Sequence, residues 1–417
     1  MRTHTIIILG AGFGGLKTAL ALGRAIKKLR LAEQYEVLLI DRNHYHTYTP
    51  LLYEVAAAPQ EVANHCDLKS LATYHVRESI KGLPVLFREE DITTIDLFSG
   101  VLWTARGNRL AYDYLVLAAG SETNYFDIPG LRENSYSFKT FLDAVRLRDT
   151  IASLLASEDR APTVLVGGGG SAGVELAAEL KQWQKRLAIT IVEGAPSILP
   201  GFQSPIVRKA EQRLARLGVR VKCGRFITKV EPRNALLSSG ETVSFDILIW
   251  NGGTRVPNFI QSLPLAHDKR GCLSVSTELE CVVAPPDASI AGRIFAIGDN
   301  ASVRYPDGAQ VPGVARAAII EGGIVAKNII EDIKGKEGFL KTVRQHAFAP
   351  KRYPYILPVG GKYAIAQCGP LVISGIFAWI LKGFVELNYL RSIMPLYAAF
   401  RIWLKGLKIF TQNDRLG

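Results

Sequence analysis

Short apolar runs recur along the chain, unbroken but for Thr190: Ile6-Ile7-Ile8-Leu9, Val37-Leu38-Leu39-Ile40, Leu115-Val116-Leu117, Val164-Leu165-Val166, Ile189-Thr190-Ile191-Val192 and Ile294-Phe295-Ala296-Ile297. A strand with one solvated face would alternate apolar and polar positions. These runs do not alternate, which predicts strands buried on both faces of a parallel sheet. Alanine- and leucine-rich stretches follow the first and fourth runs, at 16–24 and from Val174 onward, and read as helices. The basic stretch 27–34 extends the first helix and its loop, with Lys27, Lys28 and Arg30 on a solvated face.

Glycines fill the joint between strand and helix in both places. Gly10-Ala11-Gly12-Phe13-Gly14-Gly15 follows the first strand, and Gly168-x-Gly170-x-x-Gly173 follows the fourth. At such a joint Gly10 and Gly168 permit the tight turn. Gly12 and Gly170 let a pyrophosphate approach the backbone, and Gly15 and Gly173 let the helix pack on the sheet. In each case the next strand ends in an acid, Asp41 or Glu193, placed to accept hydrogen bonds from a ribose. The pattern predicts an α/β fold with two Rossmann-type dinucleotide-binding domains. A carboxylate at Glu193 repels a 2′-phosphate, and no Lys or Arg lies between Gly194 and Ile206, so NADH is expected over NADPH.

The length of 417 residues suits two or three domains, and 48% hydrophobic with 21% charged residues is a globular composition. A net charge of +12 favours anionic partners without choosing among nucleic acid, lipid headgroups and phosphorylated cofactors. With no basic–aromatic module visible, nucleic acid is not expected. The five cysteines, Cys66, Cys223, Cys272, Cys281 and Cys368, form no CxxC pair, which argues against a disulfide framework and against zinc or iron–sulfur sites; no metal is expected. The first strand begins too early to leave room for a secretory signal. The longest late apolar stretch, 371–381, stops at Lys382, short of a bilayer span.

In its order of motifs the chain resembles the glutathione-reductase-like flavoproteins with two dinucleotide-binding domains, and more closely the type II NADH dehydrogenases, non-pumping NADH:quinone oxidoreductases. The segments at 41–56, 112–126, 193–200 and 374–379 carry that resemblance. It implies FAD as cofactor, held by Gly10, Gly12, Gly15, Asp41, Arg42, His46, Pro50, Leu51, Gly120 and Asp299, with Asp299 on the ribityl chain. It implies NADH as substrate, held by Gly168, Gly170, Gly173, Glu193 and Gly253. The flavin carries the chemistry, and the protein positions it and excludes water. The family's two pocket glutamines are missing, because Ala315-Arg316-Ala317-Ala318-Ile319-Ile320 stands in their place. Ala315, Arg316 and Ile319 become the candidate quinone-site residues, and Arg316 adds a permanent charge that alters acceptor choice. Its bland reading is a residue facing solvent or paired with Glu321. Asn251-Gly252-Gly253 and the extra Gly167 are milder departures.

By the same resemblance Glu175 faces nicotinamide and flavin as a proton relay or charge stabiliser. The plainer reading is a carboxylate complementing a helix N-terminus. His44 and His46 are either proton donors or hydrogen-bonding groups of the loop around the flavin. Tyr48 and Tyr53 read as core or pocket aromatics. From Phe400 onward, Phe400, Trp403, Leu404 and Leu407 share one helix face, with Arg401, Lys405 and Lys408 on an adjoining basic arc. That predicts an amphipathic C-terminal membrane-association region on an anionic lipid surface, with packing on the protein or in a homodimer as the alternative.

The expected organisation is a first part of the FAD domain at 1–127, an inserted NAD domain at 128–253, a second FAD part at 254–345 and the C-terminal region at 346–417. A peripheral enzyme on the cytoplasmic face of a membrane, passing electrons from NADH through FAD to a membrane quinone, follows from the resemblance. A reductase with another acceptor, such as a modified naphthoquinone, a soluble quinone or oxygen, stays open. So does a redox-sensing flavoprotein that binds a partner.

Overall fold

The computed structural model describes residues 3–157, 159–283, 290–340 and 342–413. The chain divides into two compact units. One comprises Met1–His46, Tyr74–Glu122 and Arg255–Arg352; the other comprises Thr47–Thr73, Thr123–Thr254 and Tyr353–Gly417.

The first unit is built on a parallel sheet in the spatial order Ile294–Ala296, Tyr114–Leu117, His4–Leu9, Tyr35–Asp41, Val85–Glu89. The apolar runs sit at its centre, and Ile6, Ile7 and Ile8 are fully buried. The helix Phe13–Leu29 lies against the helix Ala315–Lys336 at very close range. A Cβ at Gly322 would lie 2.4 Å from the Gly14 carbonyl oxygen, and the Thr18 hydroxyl spans the two helices through Gly14 and Gly322 carbonyls at 2.9 and 3.2 Å. An antiparallel ribbon, Ile92–Asp96, Val101–Thr104 and Arg109–Ala111, adds Ile92, Ile95 and Leu102 to the core.

The second unit repeats the plan with a parallel sheet ordered Tyr136–Ser137, Ile247–Trp250, Thr163–Gly167, Ala188–Val192, Arg220–Lys222. The helix Ser204–Leu217 ends at Gly218, whose φ of +79° closes the turn. The late apolar stretch divides between a strand and a helix. Leu371–Gly375 completes an antiparallel sheet with Tyr355–Pro358 and Ala364–Cys368, and the helix Ile376–Ile393 starts directly afterwards, followed by Leu396–Asn413. Among the described residues no helix is long and apolar enough to cross a membrane.

Candidate functional site

In the first glycine turn, the three glycines have three different surroundings. Gly10 has φ +107°, and a Cβ there would meet the Ala118 carbonyl oxygen at 2.2 Å. A Cβ at Gly15 would lie 1.8 Å from the Gly10 carbonyl oxygen, so helix and turn touch through backbone. Around Gly12 none of the described residues comes within 4 Å of that position. The middle glycine thus opens at the N-terminus of the helix Phe13–Leu29, where the first-turn N–H groups and the helix dipole suit a pyrophosphate.

Asp41 closes this turn from the neighbouring strand. Its carboxylate accepts the Ala11 and Asn43 N–H groups at 2.7 and 2.8 Å, and burial raises its pKa against those bonds and the nearby Arg42. His46 is buried, its Nδ1–H donates to the Ala11 carbonyl at 2.9 Å, and Phe13 meets its ring edge-on. Burial pushes its pKa down to about 4. A ring held neutral near pH 7 with its Nδ1–H engaged by Ala11 favours the loop-supporting reading of His46 over the proton-donor one. His44 lies 3.3 Å from Glu89 and stacks on His75.

Gly120 has φ +69° and gives its carbonyl to buried Asn300 at 2.7 Å; Asp299 accepts from the Ser121 hydroxyl. The turn carrying Asp299 is pinned by Glu321, which accepts the Gly298 N–H at 2.6 Å and whose pKa is pushed up to about 7 by burial and by Asp299. At the start of the helix Ala315–Lys336, Ala315 and Ile319 are half-buried and Arg316 is exposed. In the second unit, Pro50 and Leu51 form the short 3-10 turn Thr49–Leu51, with Leu51 fully buried.

The second glycine turn reproduces the first. Gly168 has φ +106° and a Cβ there would meet the Asn251 carbonyl oxygen at 2.4 Å; one at Gly173 would meet the Gly168 oxygen at 2.0 Å; Gly170 is open. Glu193 accepts the Gly169 and Ala195 N–H groups at 2.6 and 2.8 Å, as Asp41 does in the first unit. The departures at Gly167 and Gly252 share a cause with the glycine at Gly253. A Cβ at Gly167 or Gly252 would lie 2.5 or 2.3 Å from the Trp250 ring, and one at Gly253 would lie 2.9 Å from Phe126, which packs edge-on against Trp250. The indole is threaded between glycines and anchored by its N–H to the Asn124 carbonyl at 2.7 Å.

Glu175 lies just past the first turn of the helix Ser171–Trp183, which holds no acid, and belongs to a cluster that sequence reasoning missed. Its side chain is partly covered, and the low-dielectric surroundings push its pKa up to about 8, with Lys382 opposing and Glu54 reinforcing the shift. Lys382 is ion-paired with Glu54, which also accepts the Tyr53 hydroxyl at 2.9 Å. Burial works against the Lys382 charge, but Glu54 and Glu386 outweigh it and its pKa is raised. Glu386, one turn further on, is pushed up to about 7 by burial. The available signals were a lysine ending an apolar run and a glutamate four residues later, which alone read as a helix face.

At the C-terminus Phe377, Leu396 and Tyr397 are 76%, 63% and 78% exposed, and Ile380, Phe384, Val385, Phe400, Leu404 and Leu407 are also exposed. Trp403 does not join them: its N–H binds the Gly383 carbonyl at 2.8 Å and its ring stacks near Phe384 and Phe400. Lys405 leaves the basic arc, pairing with Asp67 at 2.8 Å and with Ser70 at 3.0 Å. The expected helix face is thus narrower in its second helix and extended by the first.

The duplicated cradles fit two dinucleotides, and the comparisons agree with them. Residues 4–322 match the pyridine nucleotide-disulphide oxidoreductase family. The chain is 30% identical over 362 residues to a type II NADH:quinone oxidoreductase of Staphylococcus aureus, covering 79% of this chain and 83% of that protein. It is 29% identical over 381 residues to a demethylphylloquinone reductase of Synechocystis, covering 89% and 86%. The fold matches NDH2 of Plasmodium falciparum solved with NADH, with TM-score 0.80, 19% identity and 98% of each chain covered. The chain belongs to the pyridine nucleotide-disulphide oxidoreductase family. Within it the chain is a type II NADH dehydrogenase, an oxidoreductase that binds FAD and uses NADH.

Proposed function

We propose that this enzyme transfers electrons from NADH to a membrane quinone without moving protons across the membrane, working peripherally on the cytoplasmic side. In this reading residues 1–127 and 254–345 carry FAD, 128–253 carry NADH, and 346–417 meet the lipid. FAD would lie on Gly10, Gly12, Gly15, Asp41, Arg42, His46, Pro50, Leu51, Gly120 and Asp299, and NADH on Gly168, Gly170, Gly173, Glu193 and Gly253. When bound, FAD supplies the two-electron relay between the two substrates.

The observation that carries the proposal is the cluster of Glu54, Glu175, Lys382 and Glu386, with pKa values of about 8 and 7 at Glu175 and Glu386. Forming a quinol takes two electrons and two protons, and hydride from NADH supplies the electron pair with only one hydrogen nucleus. Carboxyls that remain protonated near neutrality can hold and hand on the other. Glu175 is the group we assign to this role beside the nicotinamide, while Lys382 is ion-paired with Glu54. The exposed apolar chains from Ile376 to Leu407 support docking on a bilayer surface, and Arg401 and Lys408 supply its attraction to anionic lipid.

Rapid mixing of the FAD-loaded enzyme with NADH, followed by a panel of ubiquinone, menaquinone and phylloquinone analogues and oxygen, tests the proposal. Fast bleaching of the flavin band and fast recovery with a quinone are expected; fast bleaching with no quinone turnover would refute it. A second reading, a modified naphthoquinone as acceptor, is favoured by the charged Arg316 at 315–320 and would appear in the same panel as a reversed ranking. Arg316→Gln should change quinone kcat/KM and leave the NADH step close to wild type.

A further inference from the structure

Dinucleotide choice at the second site involves more charge than the sequence around Glu193 displays. The strand Arg220–Lys222 runs parallel to Ala188–Val192, in the register Val192 to Lys222. Past the strand ends, backbone bonds stitch the two segments together. The Glu193 N–H donates to the Lys222 carbonyl at 2.9 Å, Arg225 N–H to the Glu193 carbonyl at 3.1 Å, and Gly224 N–H to the Ala195 carbonyl at 2.8 Å. The chain therefore brings the backbone of two basic residues, Lys222 and Arg225, alongside the residue read as the ribose ligand. They are remote in sequence from 194–206, where no basic residue occurs.

Both cations are held by one acid. Lys222 Nζ lies 2.6 Å from one Glu241 oxygen, and the Arg225 guanidinium lies 2.9 Å from the other. Glu241 sits on the turn between the strands Asn234–Leu237 and Thr242–Ser244, where Leu237 N–H donates to its carbonyl at 2.9 Å. The hydrogen bond from Lys222, with both positive charges, holds its carboxyl below the usual range. Beside this trio the Phe226 ring is 59% exposed, with its Cβ 3.7 Å from the position of a Cβ on Gly194. It offers a flat apolar face next to the ribose-binding loop, the surface an adenine ring would use.

We infer that Glu241 is a specificity-determining residue: by occupying Lys222 and Arg225 it withholds from the adenosine 2′-phosphate of NADPH the cations that would otherwise bind it. Two carboxylates then select NADH. Glu193 binds the ribose hydroxyls and repels a phosphate; Glu241 neutralises the positive charge that could offset that repulsion. A phosphate dianion would recruit the freed guanidinium and ammonium through charge-assisted hydrogen bonds, with Arg225 providing the planar fork. The inference rests on the reading that Glu193 holds the NADH ribose.

The test measures flavin bleaching by NADH and by NADPH in the FAD-loaded enzyme, for wild type, Glu193→Gln, Glu241→Gln and the double variant. Competition by 5′-AMP and 2′,5′-ADP is measured alongside. Glu193→Gln should move the ratio toward NADPH by itself. Adding Glu241→Gln should raise NADPH kcat/KM at least about tenfold further, the scale of a hydrogen bond to a charged group, while NADH kcat/KM stays within about twofold. The gain should shrink as salt rises and vanish when Lys222→Met and Arg225→Met are added. Tighter binding of 2′,5′-ADP relative to 5′-AMP should follow the same pattern. If Glu193→Gln shifts the ratio and Glu241→Gln adds nothing, the inference is overturned and the ribose reading stands. If Glu241→Gln raises NADPH use and Glu193→Gln is silent, the ribose assignment falls and the two-carboxylate inference is overturned with it. Silence at both positions overturns both. Equal thermal midpoints of Glu241→Gln and wild type exclude a folding effect.

Discussion

The protonation state of Glu175 gives a stability signature with a definite sign. Its carboxyl has an ordinary pKa of 4.5 and is pushed up to about 8 in the folded chain, mainly by burial. Between those values the folded state holds a proton that the unfolded state has released. Raising the pH through this window therefore costs stability, at about 1.4 kcal/mol per unit for full occupancy, and the loss ends once the folded pKa is passed. The ceiling is about 5 kcal/mol across the window, and partial solvent exposure of the side chain lowers the expected effect to about 2 kcal/mol. Glu175→Gln keeps the size and neutrality of the protonated acid and removes the titration. Thermal midpoints of both proteins, measured in parallel with excess FAD from pH 5 to 9, should diverge in favour of the glutamine variant up to about pH 8 and run parallel above it. The rate of flavin bleaching by NADH should show an inflection in the same region in wild type and none in the variant. Parallel midpoints across the whole range, or divergence in the opposite sense, would refute the assignment of a neutral buried carboxyl.

Three further outcomes are expected. Lys382→Met leaves the Glu54 carboxylate buried without its cation, a loss of about 3–5 kcal/mol visible in the thermal midpoint, and adding Glu54→Gln should recover much of it; additive effects would show the pair to be uncoupled. Gly12→Val should fold with a normal circular dichroism spectrum yet purify without FAD, because its Cβ enters open space, while Gly15→Ala should damage the fold itself, because its Cβ would lie 1.8 Å from a carbonyl oxygen. Phe377→Glu with Phe384→Glu removes two exposed rings worth about 1.5–3 kcal/mol each when fully buried and should release the protein from anionic vesicles in a sedimentation assay, with NADH-dependent flavin bleaching unchanged. Retention equal to wild type would place the lipid contact elsewhere.

Both nucleotide turns were legible in the sequence because their requirements are local. A buried strand needs an apolar run, the turn after it needs a residue tolerating φ above +100°, and helix and turn need to touch without a side chain; Gly10, Gly15, Gly168 and Gly173 meet these demands within a few residues. Asp41 and Glu193 were readable for the same reason, as the ends of the next strands.

What the sequence could not disclose depends on residues brought together from far apart. Gly167 and Gly252 depart from the family pattern where Trp250 occupies the space their side chains would take, and Phe126 does the same at Gly253. Lys405 passed for a lipid-facing charge on its helical wheel, but Asp67, on another helix, claims it. Glu54, Glu175, Lys382 and Glu386 are separate acids and a base along the chain; packed together, burial and neighbouring charges shift the ionisation of Glu175, Lys382 and Glu386. Lys222, Arg225 and Glu241 likewise meet only through strand pairing and a hairpin turn. The sequence by itself determined where the chain turns and which positions face the core, because those follow from the local steric and apolar pattern. Tertiary structure alone decided which charges face one another, because electrostatic coupling depends on distance in space and on exclusion of water, and neither is written in residue order.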